Sequence, residues 1–286
     1  MQVAAHAKVN FTLEVFGERA DGFHALRSLV VPISLADALD VQTADEATIT
    51  SDSPYPDDLC IKAAFKLRER AIAAGVADAK NLGASISVKK RIPAGGGLGG
   101  GSADAAATLK ALNILWNLDF PLARLLEIAA EVGSDVPALT LGGAVIMEGR
   151  GEKVEKFGTI PPLYLVLANP GVFSSTKEVY KKCQARLTDA PEILHNMRSA
   201  LGIGNLDAIS AAMVNDLAFP AVSLYPQIAT ALEAMRQAGI KRPMMSGSGS
   251  TVFGLVPNEA EGRKSKALLE AQGFAAWCVH TFCPVM

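Results

Sequence analysis

Hydrophobic and polar residues alternate at the start of the chain. Over residues 9–15 every second residue is apolar, and the residues between them are polar. Because a strand turns successive side chains to opposite faces, this period predicts a β-strand with one apolar and one polar face. Lys8, Asn10 and Thr12 fall on the polar face. Taken alone, the pattern predicts that this face is exposed to solvent.

Alternation predicts further strands, and helical spacing of apolar residues predicts the helices. Strands are predicted over residues 26–35, 37–41, 47–51, 85–88, 142–148, 153–157, 163–167 and 274–281, with a strand, a loop and a strand over 244–256. Apolar spacings of three and four predict helices over residues 58–74, 102–116, 121–132 and 259–272, and mainly helices from 177 to 238. Gly75 is expected to end the first helix, and Ser134 to cap a further short one.

The order of these elements predicts the fold class. Strands and helices are mixed without strict alternation, which favours an α+β fold. A chain of 286 residues is long enough for two domains, and the pattern changes around Pro161 and Pro162. We therefore predict an N-terminal domain over residues 1–157 and a C-terminal domain over residues 158–286.

A glycine-rich stretch stands between a predicted strand and a predicted helix. It reads Pro93, Ala94, Gly95, Gly96, Gly97, Leu98, Gly99, Gly100, Gly101, Ser102, Ala103 and Asp104. Backbone without Cβ atoms can be approached closely by an anion or by another segment. A glycine loop that leads into a helix N-terminus also offers unpaired N–H groups and the positive end of the helix dipole. The stretch therefore predicts a polyphosphate site and a nucleotide-handling enzyme.

Other interpretations of this loop are weaker. A flexible linker would be polar on both sides, and tight helix packing without a ligand is the less common use of such loops. The stretch lacks the Gly-Lys-Ser/Thr ending of the ATPase phosphate loop, since Ala103 follows Ser102. It also lacks the acidic residue that completes a dinucleotide fingerprint about 20 residues further on. A lysine at the phosphates must therefore come from elsewhere in the chain.

Composition narrows the function classes. Hydrophobic residues make up 50% of the chain and charged residues 20%, so a substantial core is expected. The net charge of −2 argues against nucleic-acid binding by bulk electrostatics. The four cysteines form no CxxC pair, which is typical of free thiols in a reducing compartment. No membrane-length apolar run or leader pattern is present, so we expect a cytoplasmic protein without membrane contact.

Two further segments carry candidate chemistry. Asp135 lies in the segment 133–137, at the start of a predicted helix, where an aspartate is ordinarily a capping residue. Residues 245–251 read Met-Ser-Gly-Ser-Gly-Ser-Thr. Small hydroxylated residues and glycines of this kind suit either a hairpin turn or close approach to an anion. By themselves these two segments leave both alternatives open.

Taken together, the motifs resemble the GHMP kinase superfamily. Within it, they are most similar to the kinases whose acceptor is a cytidine-diphosphate-linked sugar alcohol. The segments that carry the resemblance are residues 7–13 (Ala-Lys-Val-Asn-Phe-Thr-Leu), 19–24 (Arg-Ala-Asp-Gly-Phe-His), 93–107, 133–137 and 245–254. They occur in order and span most of the chain, and the segment 19–24 distinguishes this branch from its sister kinases.

The resemblance implies the fold and the class of reaction. It implies an N-terminal domain like domain 2 of ribosomal protein S5, a ferredoxin-like C-terminal domain, and a cleft where ATP and the substrate meet. The implied reaction is ATP-dependent phosphorylation of a hydroxyl of the small cytidyl substrate, for isoprenoid precursor biosynthesis, by a monomer or weak homodimer. Two alternatives remain: a sister kinase for homoserine, mevalonate or galactose, and a nucleotide-binding regulator without catalysis.

The resemblance also implies roles for the residues at the phosphates. Lys8 and Asp135 would be the catalytic pair: Asp135 accepts or orients the proton of the attacking alcohol, and Lys8 offsets negative charge. The loop 95–101 and the N–H groups of residues 102–104 would hold the β- and γ-phosphates. The Ser102 hydroxyl would be available to phosphate or to Mg²⁺, which arrives as the ATP complex without a metal site of the protein's own.

The acceptor site follows from the same resemblance. His24 would hydrogen-bond the cytosine edge, Phe23 and Tyr180 would stack on the ring from either side, and Asn10 would contact the sugar-alcohol end. The chain departs from the family pattern at a few positions. One is Asp58, which stands where an asparagine is usual near the adenine.

Overall fold

The computed structural model of the chain describes residues 1–18, 22–45, 47–55, 57–76, 82–184 and 191–282. Residues 19–21, which belong to the motif that ends at His24, lie outside these ranges, and so does Cys283.

The N-terminal half begins with two long strands and then alternates helices with shorter strands. Its elements are β1 (Gln2–Glu18), β2 (His24–Ala44), β3 (Ile49–Ser51), α1 (Leu59–Ala73), β4 (Gly83–Lys89), α2 (Gly100–Leu115), α3 (Leu122–Val132), α4 (Val136–Leu141), β5 (Val145–Gly149) and β6 (Lys153–Lys156).

The C-terminal half is richer in helices. Its elements are β7 (Tyr164–Asn169), α5 (Thr176–Lys182), α6 (Pro191–Ile203), α7 (Leu206–Ala212), β8 (Val214–Asn215), α8 (Ala218–Leu224), α9 (Gln227–Gln237), β9 (Met244–Met245), β10 (Val252–Val256), α10 (Glu259–Ala271) and β11 (Ala275–His280).

The described strands form two separate sheets. The first has seven strands in the order β3-β4-β2-β1-β8, and β5 joins it by pairing with both β2 and β6. The second has four strands in the order β11-β7-β10-β9, all antiparallel. Numbered along the chain within this sheet alone, the order is 4-1-3-2, with helices between the first two and between the last two strands. The C-terminal half is therefore ferredoxin-like, as the resemblance implied.

Strand β2 is longer than the sequence predicts. The two strands predicted over 26–35 and 37–41 are one continuous element, with Asp37 inside it at 1% exposure. Its carboxylate accepts hydrogen bonds from the backbone N–H groups of Arg91 and Ile92 and from Lys90 Nζ. Because these partners satisfy the charge, a buried carboxylate does not interrupt the strand.

Both faces of β1 are buried. Its apolar side chains, such as Phe11, pack against the second sheet, where Phe11 stacks on Phe253 with ring centroids 6.1 Å apart. On the other face Lys8, Asn10 and Thr12 are no more than 3% exposed. The predicted exposure of this polar face is therefore wrong, because the glycine loop and other distant segments cover it.

The change from the first half to the second falls between β6 and β7, next to the predicted boundary at residue 157. The two halves are not independent, however. Strand β8 pairs with β1 through Thr12 and Leu13, and Thr281 bridges to Ile33 of β2. The division into residues 1–157 and 158–286 stays a prediction.

Candidate active site

The glycine loop leads directly into helix α2. Gly99 is the N-cap residue, with φ of 68°, and the first helical hydrogen bond runs from the Ala103 N–H to the Gly99 carbonyl at 2.8 Å. The N–H groups that precede this bond belong to Gly100, Gly101 and Ser102. These are the donors that the helix start offers to an anion, two residues earlier than the predicted 102–104, because the helix itself begins earlier.

The loop is held in place by the segment between β9 and β10. Ser246 Oγ donates to the Gly97 carbonyl at 3.0 Å, and the Thr251 N–H donates to the Gly96 carbonyl at 3.1 Å. A Cβ atom at Gly97 would overlap the Ser246 carbonyl oxygen. Residues 245–251 are thus the wall on which the glycine loop is seated, and glycine at 97 is required by this close approach.

The structure brings Lys8 and Asp135 together. Lys8 Nζ lies 3.3 Å from Asp135 Oδ2, although the two residues come from β1 and from the start of α4. Asp135, and not Ser134 as predicted, occupies the N-cap position of α4, and its carboxylate accepts no capping hydrogen bond from that helix. The side chain is 28% exposed. Asp135 is therefore available for chemistry at the open side of the site.

Lys8 lies beneath the glycine loop. Its backbone N–H donates to the Leu98 carbonyl at 3.0 Å, and its ammonium donates to Asn10 Oδ1 at 2.8 Å. Asn10 Nδ2 in turn donates to Ser28 Oγ at 2.8 Å, and Ser28 donates to the Thr12 carbonyl. Since a carbonyl can only accept, this chain of donors turns the oxygen of the Asn10 amide toward the ammonium.

The residues predicted to bind a base are also near this pair. The His24 and Tyr180 rings lie 5.5 Å apart between centroids, with a tilt of 42°. Burial raises the pKa of Tyr180, and the nearby Asp135 carboxylate raises it further. Phe23 is 48% exposed, and the Arg150 guanidinium lies 5.3 Å from its ring centroid. The contact with Arg150 was not predicted from the sequence.

The chain is similar to known proteins over most of its length. The family models for the GHMP kinases N terminal domain and the GHMP kinases C terminal region match residues 58–143 and 194–271. The 4-diphosphocytidyl-2-C-methyl-D-erythritol kinase of Bacillus cytotoxicus is 38% identical over 90% of this chain and 89% of its own. The kinase of the same name from Pelotomaculum thermopropionicum is 38% identical over 98% of this chain and 97% of its own. The chain belongs to the 4-diphosphocytidyl-2-C-methyl-D-erythritol kinase family.

Solved structures confirm the predicted fold of this kinase. A crystal structure of 4-(cytidine 5'-diphospho)-2C-methyl-D-erythritol kinase has a TM-score of 0.82, with 34% identity and coverage of 99% of this chain and 100% of the other. Homoserine kinase from Cytophaga hutchinsonii has a TM-score of 0.76 at 19% identity, covering 99% and 94% of the two chains. The second likeness concerns the fold alone.

A second lysine of the kinase, which the sequence patterns did not predict as a site residue, lies at the glycine loop. Lys90 Nζ lies 2.5 Å from Asp37 Oδ2 and 2.6 Å from Asp104 Oδ2. Asp104, predicted to contact the nucleotide, is 4% exposed, and its Oδ1 has no hydrogen-bond partner in the part of the chain described. Burial raises the pKa of Asp104 to about 7. Lys90 belongs to the basic segment 89–91 (Lys-Lys-Arg), which comes just before the loop in the sequence.

The kinase shows no preformed metal cage among the residues that the structure describes, since no group of three His, Cys, Asp or Glu side chains is placed to hold an ion. Asp58, at the predicted adenine site, is the N-cap of α1 and accepts from the Cys60 N–H at 2.8 Å. No helix in the described ranges is both long and apolar enough to cross a bilayer.

Proposed function

We propose that this kinase transfers the γ-phosphoryl group of ATP to the 2-hydroxyl of 4-diphosphocytidyl-2-C-methyl-D-erythritol, giving the 2-phosphate and ADP. This is the step of isoprenoid precursor biosynthesis that the resemblance implied. The observation that carries the proposal is the Lys8–Asp135 pair, 3.3 Å apart beside the glycine loop, in a chain with 38% identity to kinases of this name.

The glycine loop holds the phosphates of the donor. ATP supplies the transferred group and brings Mg²⁺ with it. The N–H groups of Gly100, Gly101 and Ser102 point out of the start of α2, where the helix dipole also favours negative charge. Of these three residues, Ser102 alone also has a side-chain donor, its hydroxyl. Residues 95–97 and Gly99 approach the phosphates through backbone, because they are glycines, and the Leu98 side chain between them is buried in the core.

Asp135 orients the acceptor hydroxyl and takes its proton. Its carboxylate makes no capping hydrogen bond and is partly open to solvent, so an alcohol can reach it. A positioned general base of this kind is worth about 10²–10⁴-fold in rate. Phosphoryl transfer otherwise depends on positioning and charge stabilisation, which the rest of the site provides.

Lys8 keeps Asp135 ionised and offsets charge on the transferred group. An ammonium has three donors; one is used by Asn10 and one faces Asp135, which leaves one for a phosphate oxygen. A fixed cation in a site closed to water stabilises developing negative charge strongly. Asn10 is only 1% exposed, so its proposed contact with the sugar alcohol uses the remaining amide N–H.

At the other end of the acceptor, His24 and Tyr180 receive the cytosine. Their rings lie 5.5 Å apart, so the hydrogen-bonding edge of His24 is next to the aromatic ring of Tyr180. Phe23 precedes His24 in the chain and offers an exposed second aromatic surface. We propose that the protein acts in the cytoplasm as a monomer or weak homodimer.

The proposal is tested by coupled ADP release with ATP, Mg²⁺ and the cytidyl acceptor. The wild type is expected to turn over, and Asp135→Asn is expected to lose about 10²-fold or more in kcat while its melting curve is unchanged. Homoserine, mevalonate and galactose serve as competing acceptors. Turnover with one of these and none with the cytidyl compound would leave only the superfamily assignment standing, and no turnover with any acceptor would favour a regulator.

A further inference from the structure

A serine of strand β2 determines the orientation of a side-chain amide in the candidate site. Ser28 is 0% exposed, and its Oγ has two partners: it donates to the Thr12 carbonyl at 2.6 Å, and Asn10 Nδ2 lies 2.8 Å away. A hydroxyl has one proton, and the Thr12 carbonyl receives it, because a carbonyl oxygen can only accept. Toward Asn10, the Ser28 oxygen is therefore an acceptor.

This constraint passes through Asn10 to Lys8. Because Ser28 accepts, the amino group of the Asn10 amide lies on its side, and the amide oxygen lies on the other side, 2.8 Å from Lys8 Nζ. The reverse orientation would place N–H hydrogens against the ammonium and an oxygen against the lone pairs of Ser28. Asn10 is 1% exposed, so water does not compensate for such a mismatch. The Ser28 hydroxyl thus ensures that Lys8 meets an acceptor.

We infer that Ser28 is a positioning residue for the reaction, which acts through the Asn10 amide on the Lys8 ammonium. This inference rests on the proposed function and extends it to a residue outside the Lys8–Asp135 pair. Lys8 Nζ lies 2.8 Å from Asn10 Oδ1 and 3.3 Å from Asp135 Oδ2. The Asp135 side chain is 28% exposed, whereas Asn10 is buried. The contact that Ser28 maintains is therefore the shorter of the two and the better shielded from water.

Lys8 needs such a contact because its ammonium is at the end of a flexible side chain. The aliphatic part packs against the glycine loop, since a Cβ atom at Gly99 would lie 3.1 Å from both Lys8 Cγ and Lys8 Cε. The ammonium itself is oriented by its polar partners. A charge stabilises a transition state best when it is in place before the reaction, and small displacements of a catalytic group lower the rate strongly. Loss of the Asn10 contact is therefore expected to slow the reaction without unfolding the site.

The first measurement needs no substrate. Exchange of the Asn10 side-chain amide hydrogens with solvent is followed by nuclear magnetic resonance on the full-length protein, for the wild type and Ser28→Ala. We expect Ser28→Ala to speed this exchange about 10-fold or more, because the buried acceptor of the amide is gone.

The second measurement is steady-state kinetics with ATP, Mg²⁺ and the cytidyl acceptor. We expect Ser28→Ala to lower kcat about 10-fold, because the Lys8 ammonium is no longer held in one position. The KM of ATP should stay within about two-fold of the wild type, since the glycine loop and the start of α2 hold the phosphates. A residue with only a structural role would leave kcat unchanged as well.

A matched control is available in the C-terminal half. Ser265 of α10 is 6% exposed and donates to the Ala238 carbonyl at 2.8 Å, as Ser28 donates to a carbonyl of β1. Ser265→Ala should therefore lower the free energy of unfolding, measured in urea, by about as much as Ser28→Ala does. Its kcat should stay within about two-fold of the wild type, because no hydrogen bond links Ser265 to the Asn10 amide in the part of the chain described.

A double-mutant cycle shows whether Ser28 acts through Asn10. Asn10→Ala is expected to lower kcat at least as much as Ser28→Ala does. When the two substitutions are combined, Ser28→Ala should lower kcat by less than about two-fold further, because the amide that Ser28 orients is already gone.

Three results would overturn the inference. They are unchanged kcat in Ser28→Ala, the same loss of kcat in Ser265→Ala, and independent effects of Ser28→Ala and Asn10→Ala in the cycle. Failure of the proposed function gives a different result. If the wild type does not phosphorylate the cytidyl acceptor, faster exchange of the Asn10 hydrogens in Ser28→Ala would keep the hydrogen-bond chain from Ser28 to Lys8 and lose only the reaction. Unchanged exchange would lose both.

Discussion

Two lysines flank the glycine loop, one buried and one half-buried, and their surroundings differ. Lys8 has one carboxylate, Asp135, at 3.3 Å, and that side chain is 28% exposed. Lys90 has two, Asp37 and Asp104, at 2.5 and 2.6 Å, and their side chains are 0% and 6% exposed. The charge of Lys90 thus lies between two buried carboxylates, while Lys8 faces a carboxylate that is partly open to solvent.

The difference separates the lysine that we propose takes part in the chemistry from the lysine that stabilises the loop. Removing one member of a fully buried ion cluster leaves uncompensated charge, which costs about 3–5 kcal/mol. Removing a lysine whose partner is partly hydrated costs the fold less, because water takes over part of the interaction. Replacing Lys8 is therefore expected to lower mainly activity, and replacing Lys90 is expected to lower mainly stability.

The same substitution at both sites gives the largest expected effects. Lys8→Met should lower kcat about 10²–10⁴-fold and lower the free energy of unfolding less than Lys90→Met does. Lys90→Met should lower the free energy of unfolding by about 3 kcal/mol or more, because it leaves Asp37 and Asp104 buried without a cation. Urea unfolding and steady-state kinetics on both variants are the measurements. If Lys8→Met is the less stable of the two, the comparison is wrong.

The two ends of the glycine loop extend the comparison. Gly97, on the side of Lys8, has φ of 73° and no space for a Cβ atom against Ser246. Gly101, in the first turn of α2, would place a Cβ atom 3.7 Å from Leu59 Cδ1, an ordinary contact. Gly97→Ala should lower the free energy of unfolding by about 2 kcal/mol or more, because it strains the backbone and displaces residues 245–251.

Gly101→Ala is the matched control for that loss. Alanine is the better helix former, so the variant should be as stable as the wild type or more stable by up to about 1 kcal/mol. Thermal or urea unfolding of the two variants decides the point. Equal stability of Gly97→Ala and Gly101→Ala would mean that the loop is not seated on residues 245–251 as described.

The smallest expected effect concerns the cluster around Lys90. The pKa of Asp104 is raised to about 7 from 3.8, so the folded state holds this proton more tightly than the unfolded chain does. The stability that the proton contributes is fully present below about pH 4 and is lost as pH rises toward and through 7. Asp104→Asn should therefore lose less stability than the wild type between pH 5 and pH 8.

This difference is measured as urea unfolding of both proteins at four pH values across that range. The slope that one group contributes is at most about 1.4 kcal/mol per pH unit, so the curves should diverge gradually. Taking the difference between the two proteins removes the other titrating groups. Parallel curves would show that Lys90 keeps Asp104 ionised over this pH range, so that its effect on the pKa of Asp104 outweighs the effect of burial.

Much of the fold follows from patterns within the sequence. The alternation over residues 9–15 predicts β1, and the glycine stretch before an alanine- and leucine-rich run predicts the loop and α2. The catalytic pair was proposed from a resemblance, because no local pattern relates Lys8 to Asp135. Strand β8 was not predicted at all: its two residues form a strand only because β1 is there to pair with them.

The unpredicted parts of the site share one cause. Alternation reports which side chains share a face of a strand, but it does not report what covers that face. The polar face of β1 is buried because Leu98 of the glycine loop and residues 245–251 fold over it. In the same way, Asp37 stays inside β2 because Lys90 and the backbone after it satisfy its charge.

By itself, the sequence determined the periodic elements, the phosphate-type loop, the α+β class and the motifs that indicate the family. Only the tertiary structure decided which of the two lysines faces a partly exposed carboxylate, where the N–H groups of α2 begin, and that the polar face of β1 is buried. The physical reason is the distance along the chain over which each interaction acts. Periodicity and loop chemistry act between neighbours in the chain, whereas burial and charge pairing depend on segments that meet only after folding.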